Sequence, residues 1–453
     1  MTQLGEAIAR YHKLVESEPF KDMAWAEALY EQMRARGLAS GGRPISPVLR
    51  PHFVTRRQYA NLVKAAESLF SAIDRINQLA LATPQLLTRM ELLPAEKMLA
   101  SVDPGYPFLA VTSLLDTHLD NGTLHFVEYN ADTPAGVAYS DGLADIFFDC
   151  RPMRQFRKRY AVAKPGGLKH LLDALLRAYK EFSNGKKKIP HIAVVEIRQP
   201  YQTSESGELL LMREYFRREG YPAEIVAPEH LEYRGGVLRR GDFTIDLVYR
   251  RVKVQEFLVR YDLNHPLVRA YRDRAACVVN SFRSELAHKK AIFDLLTDDS
   301  ITSGFPMAER KAIREYIPWT RVVAAAKAAY GDEIVDLPEF ILKNRERLVL
   351  KPNDESADQH SFLGWETDPA GWERALRTAM RHPYVVQERI PAPVVQFPVY
   401  RYGALEMRDM QVDVHPHAFL GKVQGCSSWL TVAGSGGFST LSGLAATFVI
   451  ESK

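Results

Sequence analysis

The chain has 453 residues, of which 46% are hydrophobic and 25% charged, and its formal net charge is +4. This length predicts two to four domains, and the small charge gives no support for a nucleic-acid-binding protein. No apolar stretch approaches the roughly 20 residues of a spanning helix, which excludes a membrane protein of that kind. Cys150, Cys277 and Cys426 are too far apart for a disulfide framework or a zinc site, so we expect a cytoplasmic enzyme.

Residues 1–100 are expected to form an N-terminal helical layer. Apolar residues recur at every third or fourth position in AWAEALYEQM and in YANLVKAAESLFSAIDRINQLAL, which is the period of an amphipathic helix. A connector rich in Gly, Pro and Ser, ASGGRPISPVLRP, separates the two helices.

Residues 101–190 begin with a predicted β-hairpin. The run PFLAVTSLLDTHL has the character of a strand, and the Asp-Asn-Gly sequence at 120–122 is a turn signal. A second strand follows over residues 123–129. A polar loop, residues 130–136, then leads into a helix that starts near Tyr139.

Residues 191–284 predict a small parallel α/β domain. The segments HIAVVEI, AEIVAP and IDLVYRRV are strand-like, and SGELLLMREYFRREG is an amphipathic helix. The loop 198–206 follows the first strand at its carboxyl end, where such sheets bind ligands.

Residues 285–453 form the last predicted unit. We expect a helix in SELAHKKAIFDLLTD and strands in RLVLKP and YVVQERI. The segment ALEMRDMQVDVHPHAFLGKVQGC predicts two antiparallel strands around a His-Pro turn.

The segment FVEYN, residues 126–130, carries the clearest signal of a site. On a strand, Glu128 and Asn130 point to the same face, and the predicted hairpin brings Asp116 close to Glu128. Three hard oxygen ligands of this kind suit Mg²⁺. The alternative is a solvated sheet face, but the polar loop that follows leads into a helix N-terminus, which is an anion site.

HFVEYNADTPAG resembles the metal-binding strand of the circularly permuted ATP-grasp enzymes, which include glutathionylspermidine synthetase. In the permuted group this strand precedes the nucleotide-binding lysines, and the present sequence has that order. The resemblance covers roughly residues 100–453. It implies an α/β (α+β) fold: a circularly permuted ATP-grasp with a small parallel α/β domain, an N-terminal helical layer and nucleotide-binding lobes over residues 285–453.

The resemblance also implies the residues that bind ATP. Lys290 in HKKAIFDLL and Lys351 in LVLKPN resemble the family's phosphate-binding lysines. In YVVQERI, Gln387, Glu388 and Ile390 fall where the family's hinge strand carries adenine. Each segment also has an interpretation without a binding role. HKKAIFDLL can be a helix with a surface pair of lysines, LVLKPN a strand that ends in a structural lysine, and YVVQERI the ordinary end of a strand.

Two further features are weaker. Asp413 in MRDMQVDVHP either adds a carboxylate to the site or lies at the predicted turn. The Gly/Ser loop at residues 435–437 either cradles phosphate with backbone N–H groups or is a plain connector.

The sequence departs from the family pattern at two places. The family has a glycine-rich loop after the phosphate lysine, whereas residues 354–363 here contain three acidic side chains and only Gly364 remains. Glutathionylspermidine synthetases have an arginine where this chain has Leu114. We therefore take Arg250 and Arg251 as candidate catalytic substitutes, because a planar guanidinium suits a carboxylate or phosphate.

These features predict an ATP- and Mg²⁺-dependent ligase that joins the carboxylate of a small molecule or peptide to an amine through an acyl phosphate. One alternative is a catalytically degenerate protein that only binds its ligand, which Leu114 and the altered loop favour. The other is a phosphotransferase with a hydroxyl acceptor. The sequence specifies neither the two substrates nor the oligomeric state.

Overall fold

The computed structural model describes residues 2–120, 122–185, 189–198, 206–354, 360–433 and 441–451. Within these ranges no helix is both long enough and apolar enough to cross a membrane. The α-helices are α1 (Gln3–Val15), α2 (Ala24–Ala35), α3 (Arg56–Ala82), α4 (Pro84–Arg89), α5 (Pro94–Ser101), α6 (Val137–Asp149), α7 (Arg151–Phe156), α8 (Leu168–Phe182), α9 (Gly207–Arg218), α10 (Val254–Arg260), α11 (Pro266–Arg272), α12 (Glu285–His288), α13 (Ile292–Leu296), α14 (Asp299–Thr302), α15 (Met307–Tyr316), α16 (Leu337–Lys343) and α17 (Pro369–Ala379).

The strands alternate with these helices along most of the chain. They are β1 (Ala39–Ser40), β2 (Arg43–Pro44), β3 (His52–Thr55), β4 (Thr112–Leu119), β5 (Leu124–Asn130), β6 (Val162–Ala163), β7 (Ile192–Val195), β8 (Ala223–Val226), β9 (Glu232–Arg234), β10 (Val237–Arg240), β11 (Phe243–Thr244), β12 (Leu247–Arg250), β13 (Cys277–Val279), β14 (Thr320–Val322), β15 (Lys327–Tyr330), β16 (Glu333–Asp336), β17 (Leu348–Pro352), β18 (Phe362–Leu363), β19 (Tyr384–Glu388), β20 (Val394–Arg401), β21 (Ala404–Phe419), β22 (Lys422–Val432) and β23 (Gly443–Ile450).

The N-terminal region is largely helical, as predicted, but it also gives a strand to the largest sheet. Its long helix α3 begins with a capping box, in which the side chains of Thr55 and Gln58 each accept the other's backbone N–H. The preceding strand β3 pairs in parallel with β23, at the opposite end of the sequence. Residues 1–100 are therefore tied into the sheet as well as packed on it.

The largest sheet has the order β3-β23-β22-β21-β4-β5, with β20 and β6 paired beside it. The predicted hairpin of β4 and β5 is confirmed, and Asp120 N–H donates to the carbonyl of Thr123 at its turn. Gly122 there has φ +109°, a conformation that favours glycine, while Asn121 lies outside the described residues. Because β5 is an edge strand, its outer side is free to meet another part of the chain.

The predicted His-Pro turn is wrong, because β21 continues straight through His415 and Pro416. Proline lacks an N–H donor and is normally excluded from inner strands. Here β21 pairs with β4 at Val414 and at His417 but not at the two residues between them, His415 and Pro416. The missing N–H of Pro416 therefore costs no hydrogen bond between these two strands. The chain instead turns at residues 420–421, where both φ angles are positive.

The predicted small parallel sheet is confirmed, with the order β13-β12-β7-β8 and every pair parallel. Both of its faces are buried: Ile192 and Val194 of β7 pack into one apolar cluster, and Ala193 and Val195 pack into another. This explains why the strand sequence is continuously apolar. The ligand loop predicted at 198–206 lies almost wholly outside the described residues.

A second, antiparallel sheet of four strands has the order β14-β19-β17-β18. Its core contains Trp372, which is 1% exposed and donates its indole N–H to the carbonyl of Ile341 at 2.9 Å. This packing fixes β17 and β19, the strands that carry Lys351 and Gln387.

Gly364 follows the short strand of this sheet, and we expect Gly364→Ala to destabilise the protein by about 1–3 kcal/mol. A β-carbon there would lie 1.9 Å from the carbonyl oxygen of Arg345 and 2.7 Å from that of Leu348. The matched control is Gly304→Ala, since a β-carbon at Gly304 meets nothing within 4 Å. Urea denaturation measures both changes, and equal midpoints for the two variants would contradict the prediction.

Candidate functional site

The hairpin places two carboxylates opposite each other. Asp116 on β4 is the registered partner of Glu128 on β5, and the register shifts immediately beyond this pair. Val127 is the extra residue of the resulting β-bulge. The bulge also explains why Phe126 and Tyr129, three residues apart, both enter the core on the face opposite the carboxylates. Strict alternation along the strand did not predict this.

Lys290 lies against Glu128. Its Nζ atom is 3.1 Å from Glu128 Oε1, and both side chains are largely buried. Burial raises the pKa of Glu128, but the ammonium groups of Lys290 and Lys351 outweigh it and hold the pKa below its ordinary value. Glu128 is therefore a carboxylate with two cations beside it.

Lys351 reaches the same hairpin from the second sheet. Its Nζ atom donates to the carbonyl of Val127, the bulge residue, at 3.3 Å and to Gln387 Oε1 at 2.8 Å. Burial lowers the pKa of Lys351, which Glu128 and Asp116 oppose. Two lysines from separate parts of the sequence thus converge on one edge strand.

Asp116 has a partner that the sequence did not reveal. His415 on β21 lies 3.2 Å from it, and the next cross-strand pair, His118 with Asp413, is 3.1 Å apart. Burial and the charges of Glu128 and Asp413 raise the pKa of Asp116 to about 6, while His415 opposes the shift. The alternation of Asp413 and His415 along one strand was the signal that could have identified this row.

Asn130 shares the carboxylate face but its amide oxygen is already used. Oδ1 accepts the backbone N–H groups of Asp132 at 3.1 Å and Thr133 at 3.2 Å. These two bonds shape the loop that follows β5, and a metal ion on the same oxygen would compete with them. The metal-ligand role of Asn130 stays a prediction.

Arg250 lies in the protein interior next to the loop that follows β5. Its side chain is fully buried, and it donates to Asp132 Oδ1, to the carbonyls of Asn280 and Val252, and to Ser284 Oγ. These four hydrogen bonds inside the protein make Arg250 an anchor for Asp132. Its catalytic role stays a prediction.

Arg251 points to the same loop from the other side. It donates to the carbonyl of Pro134 and lies 3.8 Å from Glu208, whose Oε1 accepts the N–H of Gly136 at 2.7 Å. Burial lowers the pKa of Arg251, but Tyr249 and Glu208 outweigh this and raise it. In this arrangement Arg251 contacts the loop that follows β5, and its catalytic role stays a prediction.

Lys289, the neighbour of Lys290, fills a separate carboxylate cage. Its Nζ atom lies 2.8 Å from Glu96, 3.2 Å from Glu285 and 2.5 Å from Asp354. Among the described residues these three acids are spaced closely enough to hold a metal ion, but the lysine already supplies their cation. The two adjacent lysines thus have different partners, which only the fold could distinguish.

The cage predicts an unusual dependence of stability on pH. Burial, with the charges of Asp132 and Asp354, raises the pKa of Glu285 from 4.5 to about 8, although Lys289 opposes it. The folded state then keeps a proton that the unfolded state loses, so this carboxyl's contribution to stability falls as pH rises from about 4.5 to about 8. The side chain of Glu285→Gln is neutral at every pH, so its contribution to stability does not fall over this range.

We therefore expect the free energy of unfolding of Glu285→Gln, relative to the native chain, to rise between about pH 5 and about pH 8. Urea denaturation at the two pH values measures it, with the exposed Glu31→Gln on α2 as the control. Parallel curves for the native chain and Glu285→Gln would show that the carboxyl is not held protonated.

The residues proposed to contact adenine lie at the end of β19 and just beyond it. Gln387 is buried and donates to Thr320 Oγ1 at 3.1 Å while accepting from Lys351. Glu388 accepts from the hydroxyl of Tyr330 at 2.7 Å, and Ile390 lies just beyond the strand. The possible phosphate loop at 435–437 lies outside the described residues, and so do residues 355–359 of the altered loop 354–363.

Of the predicted site residues, five lie next to one another in the structure: Asp116, Glu128, Lys290, Lys351 and Gln387. The first two fit Mg²⁺, because hard carboxylate oxygens suit it and Mg²⁺ takes few protein ligands, leaving positions for water and phosphate. The two lysines fit an anion that such a cation would accompany.

No protein-family model matches the sequence, and no curated protein does. Among solved structures, the chain is similar to a glutathione synthetase-like effector from Globodera pallida in its apo form. The identity is 14%, the match covers 94% of this chain and 96% of that one, and the TM-score is 0.57. A candidate gamma-glutamylcysteine synthetase from Methylobacillus flagellatus KT follows with 11% identity, 86% and 87% coverage and a TM-score of 0.42. A RimK-domain ATP-grasp protein from Sphaerobacter thermophilus DSM 20745 has 18% identity, 58% and 89% coverage and a TM-score of 0.28.

The first of these likenesses extends over nearly all of both chains and shows the fold. The other two superpose too loosely to carry an argument. The predicted mixed α/β fold, with parallel and antiparallel sheets, is confirmed. The circularly permuted ATP-grasp arrangement stays a prediction of the sequence resemblance.

Proposed function

We propose that the protein is an ATP- and Mg²⁺-dependent ligase that joins the carboxylate of a small molecule or peptide to an amine. The observation that carries the proposal is the convergence of two lysines on one edge strand: Lys290 lies 3.1 Å from Glu128, and Lys351 donates to the carbonyl of Val127. Charges of both signs gathered at one place suit a polyphosphate with its cation. The likeness to a glutathione synthetase-like fold supports the same reading.

Each residue has a definite task in this proposal. Lys290 and Lys351 bind phosphate oxygens, and Asp116 and Glu128 hold Mg²⁺. When bound, Mg²⁺ neutralises charge on the phosphates. Gln387 positions Lys351 through the hydrogen bond of 2.8 Å that joins them. By the family resemblance, Glu388 and Ile390 continue the strand that carries adenine.

The reaction proceeds in two displacements. A carboxylate oxygen of the substrate attacks the γ-phosphorus of ATP, the bond to the β-phosphate oxygen breaks, and ADP leaves with that electron pair. The amine then attacks the acyl carbon, phosphate departs, and the amine nitrogen loses a proton. The lysines stabilise the charge on the transferring phosphoryl group, so positioning and electrostatics supply catalysis and no protein nucleophile is needed.

The resemblance to the circularly permuted group supports the order of the segments but not the reaction of glutathionylspermidine synthetase. The position of that family's arginine is occupied by Leu114, which is buried beside Asn130. In this proposal Arg250 and Arg251 do not replace that arginine, because both contact the loop after β5. We propose a different carboxylate and amine, and a cytoplasmic setting in which Cys150, Cys277 and Cys426 stay free.

The test is a trapping assay with the full chain, ATP and Mg²⁺ over a panel of amino acids, peptides and polyamines. Hydroxylamine replaces the amine and converts an acyl phosphate to a stable hydroxamate. We expect ADP and hydroxamate to form together for one class of carboxylate, and both to be lost in Lys290→Met. The control is Lys311→Met, whose ammonium is exposed on α15.

The other outcomes separate the alternatives. ADP formation with a stable phosphorylated hydroxyl product and no hydroxamate would make the protein a phosphotransferase. Mg²⁺-dependent ATP binding without any ADP across the panel would make it a binding protein. Either result contradicts the ligase proposal.

A further inference from the structure

A cavity of about 290 Å³ lies on the face of the largest sheet opposite Asp116 and Glu128. One wall is the face of α3 that carries Phe70, Asp74 and Asn77. The lining also includes the segment 107–110 and the turn between β21 and β22. The floor includes Ser113 and Tyr129, whose side chains leave β4 and β5 on the side away from the two carboxylates.

Asn77 indicates that this cavity is a binding site. It is 1% exposed, it lines the cavity, and its Oδ1 atom has no hydrogen-bond partner in the described part of the chain. A buried amide oxygen without a partner is destabilising, so such a group normally meets a ligand or an ordered water.

The charge of the lining selects a cation. Glu67 is neutralised by Lys422, which lies 2.9 Å away. Asp74 accepts the uncharged amide of Gln78 at 2.9 Å, and the adjacent Arg75 pairs with Glu309 at 3.1 Å. Burial raises the pKa of Asp74, although Gln78 and Arg75 oppose the shift. Within the part of the chain that the structure describes, Asp74 is therefore a carboxylate of the cavity that forms no salt bridge.

The remaining lining is mostly apolar and aromatic, with Ser71 and Ser113 as its polar side chains. Phe70 and Tyr129 lie with ring centroids 5.8 Å apart, and Phe108 and Leu109 complete the wall. Aromatic faces attract an organic cation and also bury an apolar body. A few convergent polar groups inside an apolar cavity are the usual composition of a small-molecule site.

We propose that this cavity binds a small organic cation, a primary amine on a short apolar body, through Asp74 and the Oδ1 atom of Asn77. The site is separate from the proposed ATP site, because the sheet lies between them. It therefore stands or falls independently of the ligase activity.

Binding is tested with three probes of equal length: butylamine, butan-1-ol and butyrate. Ligand-observed NMR and calorimetry on the full chain compare them without any substitution, so folding of a variant is not at issue. We expect butylamine alone to bind. Equal binding of butanol would show an apolar cavity that does not recognise charge. Preference for butyrate would show that the site selects an anion. Either result, or no binding of butylamine, overturns the proposal.

Two variants locate the bound amine. Asp74→Asn removes the charge at constant shape and is expected to weaken butylamine about tenfold or more. Asn77→Leu removes the acceptor and should also weaken it. Asp173→Asn, on the exposed face of α8, is the control and should bind as the native chain does. Unchanged affinity in a folded Asp74→Asn would place the amine elsewhere and contradict the assignment.

Discussion

Glu128→Gln is expected to reduce Mg²⁺-dependent ATP turnover by about a hundredfold or more while the protein remains folded. The change removes one of two facing carboxylates and leaves a side chain of the same size. Lys290, 3.1 Å from Glu128, then loses its anionic neighbour, and Asp116 is left as a single carboxylate on this face of the hairpin. A Mn²⁺ titration together with ADP release measures the effect on metal binding and on turnover separately.

The matched control is Glu232→Gln, an exposed glutamate on the short strand β9. It should leave both measurements unchanged. Urea denaturation of both variants shows whether a loss of turnover comes from unfolding. Full Mg²⁺-dependent turnover in a folded Glu128→Gln would contradict the assignment of the metal site to this hairpin.

Arg250→Met is expected to destabilise the protein by about 3–5 kcal/mol. Arg250 is fully buried and paired with Asp132, which is 2% exposed. Removing the cation leaves a buried carboxylate whose other oxygen accepts the N–H of Val254 at 3.1 Å, an uncharged donor. An unpaired buried charge is among the most damaging single changes. The midpoint of urea denaturation measures the loss.

A double-mutant cycle tests whether the pair itself is responsible. Adding Asp132→Asn to Arg250→Met should recover part of the stability, because the unpaired charge is then removed. The control is Arg34→Met, which breaks an exposed pair with Glu31 on α2 and should change little. If Arg250→Met matches Arg34→Met, the buried pair does not hold the loop.

Much of the architecture followed from local sequence patterns. The turn signal at 120–122 predicted the hairpin, and the continuous apolar run around Ile192 predicted a strand buried on both faces. Both features depend on residues close together in the chain. The His-Pro turn failed because the tolerance for Pro416 depends on which strand lies beside it, and β4 comes some 300 residues earlier.

The candidate site was predicted in part. Glu128, Lys290 and Lys351 come together, as the resemblance implied, but neither His415 nor the bulge at Val127 was expected. Cross-strand partners and register shifts arise from pairing between distant segments, so one sequence does not specify them.

The arginines show a related limit. The residue types of Arg250 and Arg251 suit a phosphoryl group, yet burial and Asp132 give Arg250 a structural task. At position 364, packing alone explains the glycine, because two carbonyl oxygens come too close for a β-carbon. Gly364 is therefore no evidence for a former phosphate loop. Side-chain chemistry alone does not separate binding from packing.

The most direct test is a calorimetric titration of a non-hydrolysable ATP analogue into the full chain, with Mg²⁺ and with the metal chelated. Folded Lys351→Met and the exposed control Lys343→Met are titrated in parallel. If the hairpin and the two lysines form one polyphosphate site, the native chain and Lys343→Met bind the analogue only with Mg²⁺, and Lys351→Met loses binding. Equal binding by Lys351→Met, or no Mg²⁺-dependent binding by the native chain, would contradict it.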